Sequence, residues 1–150
     1  MTKRLDGHRI LLDSSSLIAY LNRAEETHAV AAFLIDDLVR NGHDPAVISP
    51  VSAMEILVVP LRQGPAHAVT VHDFIQNWPN LSLIDIDLRV AQEAASLRAM
   101  HGFRTPDALV IATGLIAQVG HLVTNDRSWR VKLAPIKNRV AVTMLTDYLT

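Results

Sequence analysis

The sequence predicts an α/β domain built on a mainly parallel sheet. Short, mostly apolar runs recur at residues 10–12, 46–48, 81–86, 122–124 and 140–144. Continuously apolar runs such as 10–12 and 46–48 suit strands covered on both faces. Segments of helical period separate them, and strands alternating with helices are the signature of a parallel sheet with crossover helices. Two cap-plus-proline pairs, Ser49-Pro50 and Thr105-Pro106, mark helix starts after or between those strands.

In chain order, residues 10–12 form the first strand. Ser14 to Ser16 offer N-cap oxygens to a short helix through Leu17, Ile18, Tyr20 and Leu21. Thr27 heads a second helix whose Val30, Phe33, Leu34 and Leu38 share one face, and Gly42 closes it in the left-handed cap conformation. After the strand at 46–48, the helix opened by Ser49-Pro50 carries Met54, Glu55, Ile56 and Leu57, with Pro60 kinking or ending it. Another helix holds Val69, Phe74 and Ile75, and a third strand covers 81–86. Asp87 caps the next helix, which closes at His101-Gly102. Thr105-Pro106 opens a helix over 107–118, which Gly120 ends before the fourth strand. Asn125-Asp126 starts a turn or short helix through Trp129, and 140–144 is the fifth strand.

A length of 150 residues suits one domain with a sizeable core, and 49% hydrophobic with 19% charged residues argues against disorder. Fourteen basic side chains against 15 acidic ones exclude a broadly basic, sequence-independent nucleic-acid binder, though not an acidic pocket ringed by local arginines. The absence of cysteine excludes disulfides, zinc-thiolate sites and thiol nucleophiles. No apolar stretch approaches the roughly 20 residues of a membrane span, and the first apolar run is too short for a signal peptide, so the expectation is a cytoplasmic protein.

Ligands of parallel α/β sheets bind beyond the carboxyl ends of the strands. Asp13 stands at such an end, and both a helix-capping and a ligating reading fit it. Asp126 follows the fourth strand in the same way, with an Asx-turn as its structural alternative. Glu55 has Val51, Ser52, Val58 and Val59 at three and four residues either side, which places a carboxylate in what reads as a core-facing stripe. Burying a lone carboxylate is costly unless it is paired, protonated or coordinated, so Glu55 points to function unless its helix rolls it into solvent. Asp107, in a first helical turn, satisfies the helix dipole on its own. Two helices between the third and fourth strands leave its place in the sheet open. Arg127, Arg130, Lys132, Lys137 and Arg139 enrich the C-terminal part in positive charge, as a solvated surface or as phosphate contacts beside the pocket. The seven histidines are scattered and show no metalloprotease spacing.

Four segments together resemble a PIN domain of the VapC toxin type: Leu11-Leu12-Asp13-Ser14-Ser15, Met54-Glu55-Ile56-Leu57 with Pro60-Leu61-Arg62, Arg104-Thr105-Pro106-Asp107-Ala108-Leu109, and Leu122-Val123-Thr124-Asn125-Asp126-Arg127. They occur in the family's order and span most of the chain. The resemblance implies a single PIN-like domain over residues 1–150, with a five-stranded parallel sheet in the order 3-2-1-4-5 and helices on both faces. It also implies a pocket in which Asp13, Glu55, Asp107 and Asp126 bind Mg²⁺ or Mn²⁺. Ser15, Thr124 and Asn125 would fix those carboxylates, with Arg104, Arg127 and Arg130 as candidate RNA phosphate contacts. The implied activity is endonucleolytic RNA cleavage, in a homodimeric toxin silenced by a small antitoxin. The sequence departs from the family's usual Asp-Thr-Ser or Asp-Thr-Asn in having Ser14 and Ser15 after Asp13, which keeps the hydroxyl. The alternatives are a non-catalytic PIN-like module binding RNA or protein, and a housekeeping PIN nuclease without an antitoxin. No Gly-rich phosphate loop follows any strand, which sets aside dinucleotide and P-loop chemistry.

Overall fold

The computed structural model describes residues 5–148. Five parallel strands form one sheet in the order β3-β2-β1-β4-β5, as the resemblance implies. They are β1 (Ile10–Leu12), β2 (Ala46–Ile48), β3 (Leu81–Leu83), β4 (His121–Thr124) and β5 (Ala141–Met144). The helices are α1 (Ser14–Leu21), α2 (His28–Phe33), α3 (Pro50–Gln63), α4 (Pro65–Asn77), α5 (Leu88–His101), α6 (Thr105–Ile116) and the single turn α7 (Trp129–Lys132). A π-helical turn, Leu34–Val39, extends α2, and Gly42 then takes the left-handed conformation at φ +79°.

The sheet has a core on each face because strand side chains alternate. Ile10, Leu12, Ile48 and Val123 point to one side, where they meet Leu17, Leu34, Ile35, Ile56 and Phe74. Leu11, Val47 and Leu122 point to the other and meet Val90, Leu97, Ile111 and Trp129. Burial on both faces is the physical reason these strands read as continuous apolar runs.

Several local expectations needed correction. The helix α3 continues past Pro60 to Gln63, so the proline does not end it. The third strand stops at Leu83 instead of Ile86, and Ile84 is tied to β2 by one hydrogen bond from its N–H to the Ile48 carbonyl. The first helix is capped by Asp13, whose side chain accepts from the Ser16 N–H, and not by one of the serines. Left-handed backbone after α6 falls on Gln118 at φ +57°, while Gly120 is there for space: a Cβ on it would lie 2.7 Å from the His8 Cβ.

The connection from α6 to β4 places the site. Only residues 117–120 separate them, and the Gly120 N–H donates to the Arg9 carbonyl beside the start of β1. The C-terminus of α6 is thereby held at the amino edge of the sheet. A 12-residue helix is about 18 Å long, so its N-terminus, with Asp107, reaches the carboxyl edge.

Candidate active site

Asp13, Ser14, Ser15, Glu55, Pro106, Asp107, Val110, Asp126 and Trp129 line one cavity of about 150 Å³ at that carboxyl edge. All four acids singled out in the sequence therefore border a single pocket, each brought there by a different connection. Asp13 ends β1 and Asp126 follows β4; these strands are paired in register through Leu12 and Val123. Glu55 comes from α3, which starts directly after β2, and Asp107 from the first turn of α6.

Asp13 is the buried member, 4% exposed. Its Oδ1 accepts the Ser16 N–H at 2.9 Å, its Oδ2 accepts the Thr124 hydroxyl at 2.5 Å, and Ser15 Oγ lies 2.8 and 3.0 Å from the two oxygens. The two hydroxyls are themselves held from the loop after β4. Asn125 N–H donates to Ser15 Oγ at 2.8 Å, and Asp126 N–H donates to Thr124 Oγ1 at 3.0 Å. Each hydroxyl thus accepts from the backbone and donates a hydrogen bond to Asp13, two parallel links from the loop after β4 to the end of β1. Desolvation pushes the Asp13 carboxyl above its ordinary value, and the Thr124, Ser16 and Ser15 donors pull in the opposite direction without cancelling it. The capping reading of Asp13 is realised, and the capping carboxylate also lines the pocket.

The other three acids differ from it. Glu55 is exposed, and so are Val58 at 41% and Val59 at 55%. Of the four neighbours that made Glu55 look buried in sequence, Val51 and Ser52 pack inward while Val58 and Val59 face solvent. Its carboxyl is nevertheless shifted upward, first by the partial cover of the pocket wall and then by the nearby charge of Asp107, against a hydrogen bond from Ser14. Asp107 lies 3.5 Å from Lys132 Nζ. Asp126 is exposed, and its Oδ1 accepts from both the N–H and the hydroxyl of Ser128, at 2.9 and 2.7 Å. That is the Asx-turn its sequence context allows, and it leaves Oδ2 for the pocket. Among the described residues, no three acidic or histidine side chains are gathered closely enough to hold a metal ion as they stand.

Of the supporting residues, Ser15 and Thr124 touch Asp13 through their side chains, whereas Asn125 contributes its backbone and keeps a buried, unpartnered Oδ1. Arg104 precedes Asp107 and Arg127 follows Asp126 on the exposed rim; neither makes an ion pair among the described residues. Arg130 is paired with Asp147, which ties it to the C-terminal turn.

A second, more apolar groove of about 490 Å³ adjoins the acidic pocket, with Glu55 on the wall of both. Ile18, Leu21 and Val59 line it and are exposed. The sequence places Ile18 and Leu21 on a short helix and Val59 in what reads as a core-facing stripe. Their spacing is helical, as that of core residues would be, and only the packing of α1, α3 and α4 shows that this face is left open.

Comparison with known proteins gives these features a frame. No curated protein matches the chain in sequence. Among solved structures, a toxin–antitoxin complex from Klebsiella pneumoniae superposes with a TM-score of 0.69 at 19% identity, over 91% of this chain and 97% of that one. FitAcB from Neisseria gonorrhoeae gives 0.68 at 19% identity, over 93% and 99%. VapC20 from Mycobacterium tuberculosis, described as a Sarcin-Ricin loop cleaving toxin, gives 0.65 at 17% identity, over 81% and 93%. At such identities the likeness is one of fold. The PIN domain model, by contrast, matches residues 10–132 in sequence, from β1 through α7 and across all four acids. The chain belongs to the PIN domain family.

Proposed function

We propose that this protein is a Mg²⁺- or Mn²⁺-dependent endoribonuclease, the toxin of a toxin–antitoxin pair. The observation that carries the reading is Asp13: a buried carboxylate, held by three donors, faces a pocket whose other walls carry Glu55, Asp107 and Asp126. Nothing in the fold requires a desolvated charge there, since a neutral serine or asparagine would cap α1 as well. The donor set is all oxygen, the kind Mg²⁺ and Mn²⁺ prefer.

Asp13 and Asp107 would hold the ion, with Asp126 contributing Oδ2 directly or through water. When bound, the cation supplies positive charge to the scissile phosphate and lowers the pKa of a water at the site. Glu55, with its raised proton affinity, accepts the proton of the attacking water as its oxygen bonds to phosphorus and the RNA oxygen departs. Ser15 and Thr124 keep Asp13 aimed, and Arg104 and Arg127 on the rim meet flanking phosphates. The apolar groove beside the pocket suits a protein partner that covers Glu55, which fits silencing by an antitoxin. A homodimer in the cytoplasm completes the reading; no helix among the described residues is long and apolar enough to cross a membrane.

One observation favours a non-catalytic PIN-like module instead, namely that no three acids are gathered as they stand. Incubation of purified protein with structured RNA, in Mn²⁺ and in EDTA, separates the two. Cleavage in Mn²⁺ alone is expected, and equal cleavage in EDTA, or none in either, would sink the proposal. Expression alone is expected to arrest growth and co-expression of the small protein encoded beside it to relieve the arrest; cleavage without toxicity would indicate a housekeeping nuclease.

The raised pKa of Glu55 sets a pH dependence. A general base must be ionised to work, so activity rises with pH through a value above the ordinary 4.5 of a glutamate. The acid limb of the kcat/KM profile should disappear in Glu55→Gln along with most of the rate. An unchanged acid limb in that variant would assign the base to another group.

A further inference from the structure

Lys132 ends α7, three residues after Trp129, whose buried ring forms part of the pocket wall. That spacing puts both residues on one face of the turn, so the packing of Trp129 aims Lys132 toward the site. Its Nζ lies 3.5 Å from Asp107 Oδ2, with the lysine side chain 40% exposed and the aspartate 28%. It is the one basic group that makes an ion pair with any of the four pocket acids among the described residues. Two other cations of this segment are committed elsewhere, Arg130 to Asp147 and Arg139 to Glu93.

We infer that Lys132 is a positioning residue that competes with the divalent cation for Asp107 and so sets how readily the site takes its metal. The inference rests on the metal-dependent reading of this pocket. Four carboxylates sharing one cavity repel one another, and a cation among them relieves that repulsion. The ammonium of Lys132 does so at Asp107 from the protein's own chain, without filling the pocket. A divalent ion that takes Asp107 meets the like charge of the ammonium a few ångströms away, so the ion either displaces Lys132 or is bound less tightly beside it. Once displaced, the long, half-exposed side chain stays at the pocket mouth, where an RNA phosphate arrives.

Two consequences follow from the charge balance. Removing the ammonium makes the site more negative and frees Asp107, so metal binds more tightly. It also removes a positive charge from the path of the RNA, so RNA binds more weakly. A residue with a merely structural role would move both in the same direction.

The test is Mn²⁺ binding by titration calorimetry on wild type, Lys132→Met, Lys132→Arg and Lys137→Met, at low salt. Lys132→Met is expected to bind Mn²⁺ about threefold more tightly or better, in keeping with an exposed ion pair, and the gain should shrink as salt screens the charges. Lys132→Arg should stay near wild type. Lys137→Met removes the same unit of charge from an exposed position in the next turn and should leave the affinity unchanged. RNA affinity of an Asp13→Asn background should fall on adding Lys132→Met, with a salt slope smaller by about one phosphate contact. Wild-type affinity for Mn²⁺ in Lys132→Met, with binding intact in both proteins, would overturn the inference alone. Failure of both wild type and variant to bind Mn²⁺ would overturn the metal-dependent reading and the inference with it.

Discussion

Replacing Asp13 by asparagine is expected to abolish Mn²⁺-dependent RNA cleavage, a loss on the order of 10³-fold or more, while leaving the protein folded and no less stable. The two halves of that result come from one fact, the burial of the carboxylate. A folded-state pKa above the ordinary 3.8 of an aspartate means that the native state holds the proton more tightly than the unfolded chain. The ionised form therefore costs stability, a penalty absent well below pH 3.8 and complete once the pH has passed the folded-state value. At neutral pH the wild type carries that penalty, and asparagine removes it. The cap survives, since an amide oxygen can still accept the Ser16 N–H, and Ser15 and Thr124 can turn their hydroxyl protons elsewhere. Thermal unfolding in EDTA should thus show a midpoint for Asp13→Asn at or above that of wild type. Adding Mn²⁺ should raise the wild-type midpoint and leave the variant unmoved, because a ligand stabilises only the state that binds it. A variant that cleaves RNA robustly, or one that unfolds at a clearly lower temperature, would contradict this account of Asp13.

That the capping carboxylate would also border the pocket was only half visible in the sequence. Three serines after Asp13 offered capping oxygens of their own, and both a capping and a ligating reading of Asp13 stood open. The structure shows the cap on Asp13, puts the same carboxylate on the pocket wall, and sets the Ser15 and Thr124 hydroxyls against it. Thr124 and Ser15 lie 109 residues apart, and only the pairing of β1 with β4 brings them within 3.2 Å. The strands were legible because a sheet buried on both faces leaves continuous apolar runs. The two strand-end aspartates were legible because a parallel sheet presents its carboxyl ends together.

Two other positions show where sequence reasoning ran short. Asp107 resisted placement when helices were counted forward from β3. Counting back from β4 resolves it, since the four residues between α6 and β4 oblige α6 to begin at the carboxyl edge. Of the two grounds for placing Glu55 at the site, a core-facing stripe and a helix start beside a strand end, the first does not hold. Val58 and Val59 are on the surface, and periodicity cannot tell a face packed on the core from one left open beside a groove. What places Glu55 beside the pocket is the start of α3 immediately after β2, an argument from topology that was also available in the sequence.

Asparagine substitutions at Asp107 and Asp126 should not be equivalent. Asp107→Asn is expected to lower cleavage as far as Asp13→Asn does, whereas Asp126→Asn should cost about 10- to 100-fold, the range of groups that act through a water or another ligand. The difference lies in what each carboxylate is already doing. Asp107 makes one long, exposed ion pair with Lys132, which a divalent cation can displace. Asp126 has one oxygen committed to Ser128, by two hydrogen bonds that fold the turn. Asparagine at 126 keeps an oxygen for that turn and loses only the charge facing the pocket. Initial rates at saturating Mn²⁺ measure the ranking, and Mn²⁺ titrations on the same proteins give its cause. Asp107→Asn should weaken binding more than Asp126→Asn, even though it also releases Lys132 from its partner. Equal losses of rate and of affinity at the two positions would make Asp126 a direct ligand through Oδ2. The turn around Ser128 would then serve to present that oxygen, and Ser128→Ala would lower metal affinity instead of leaving it untouched.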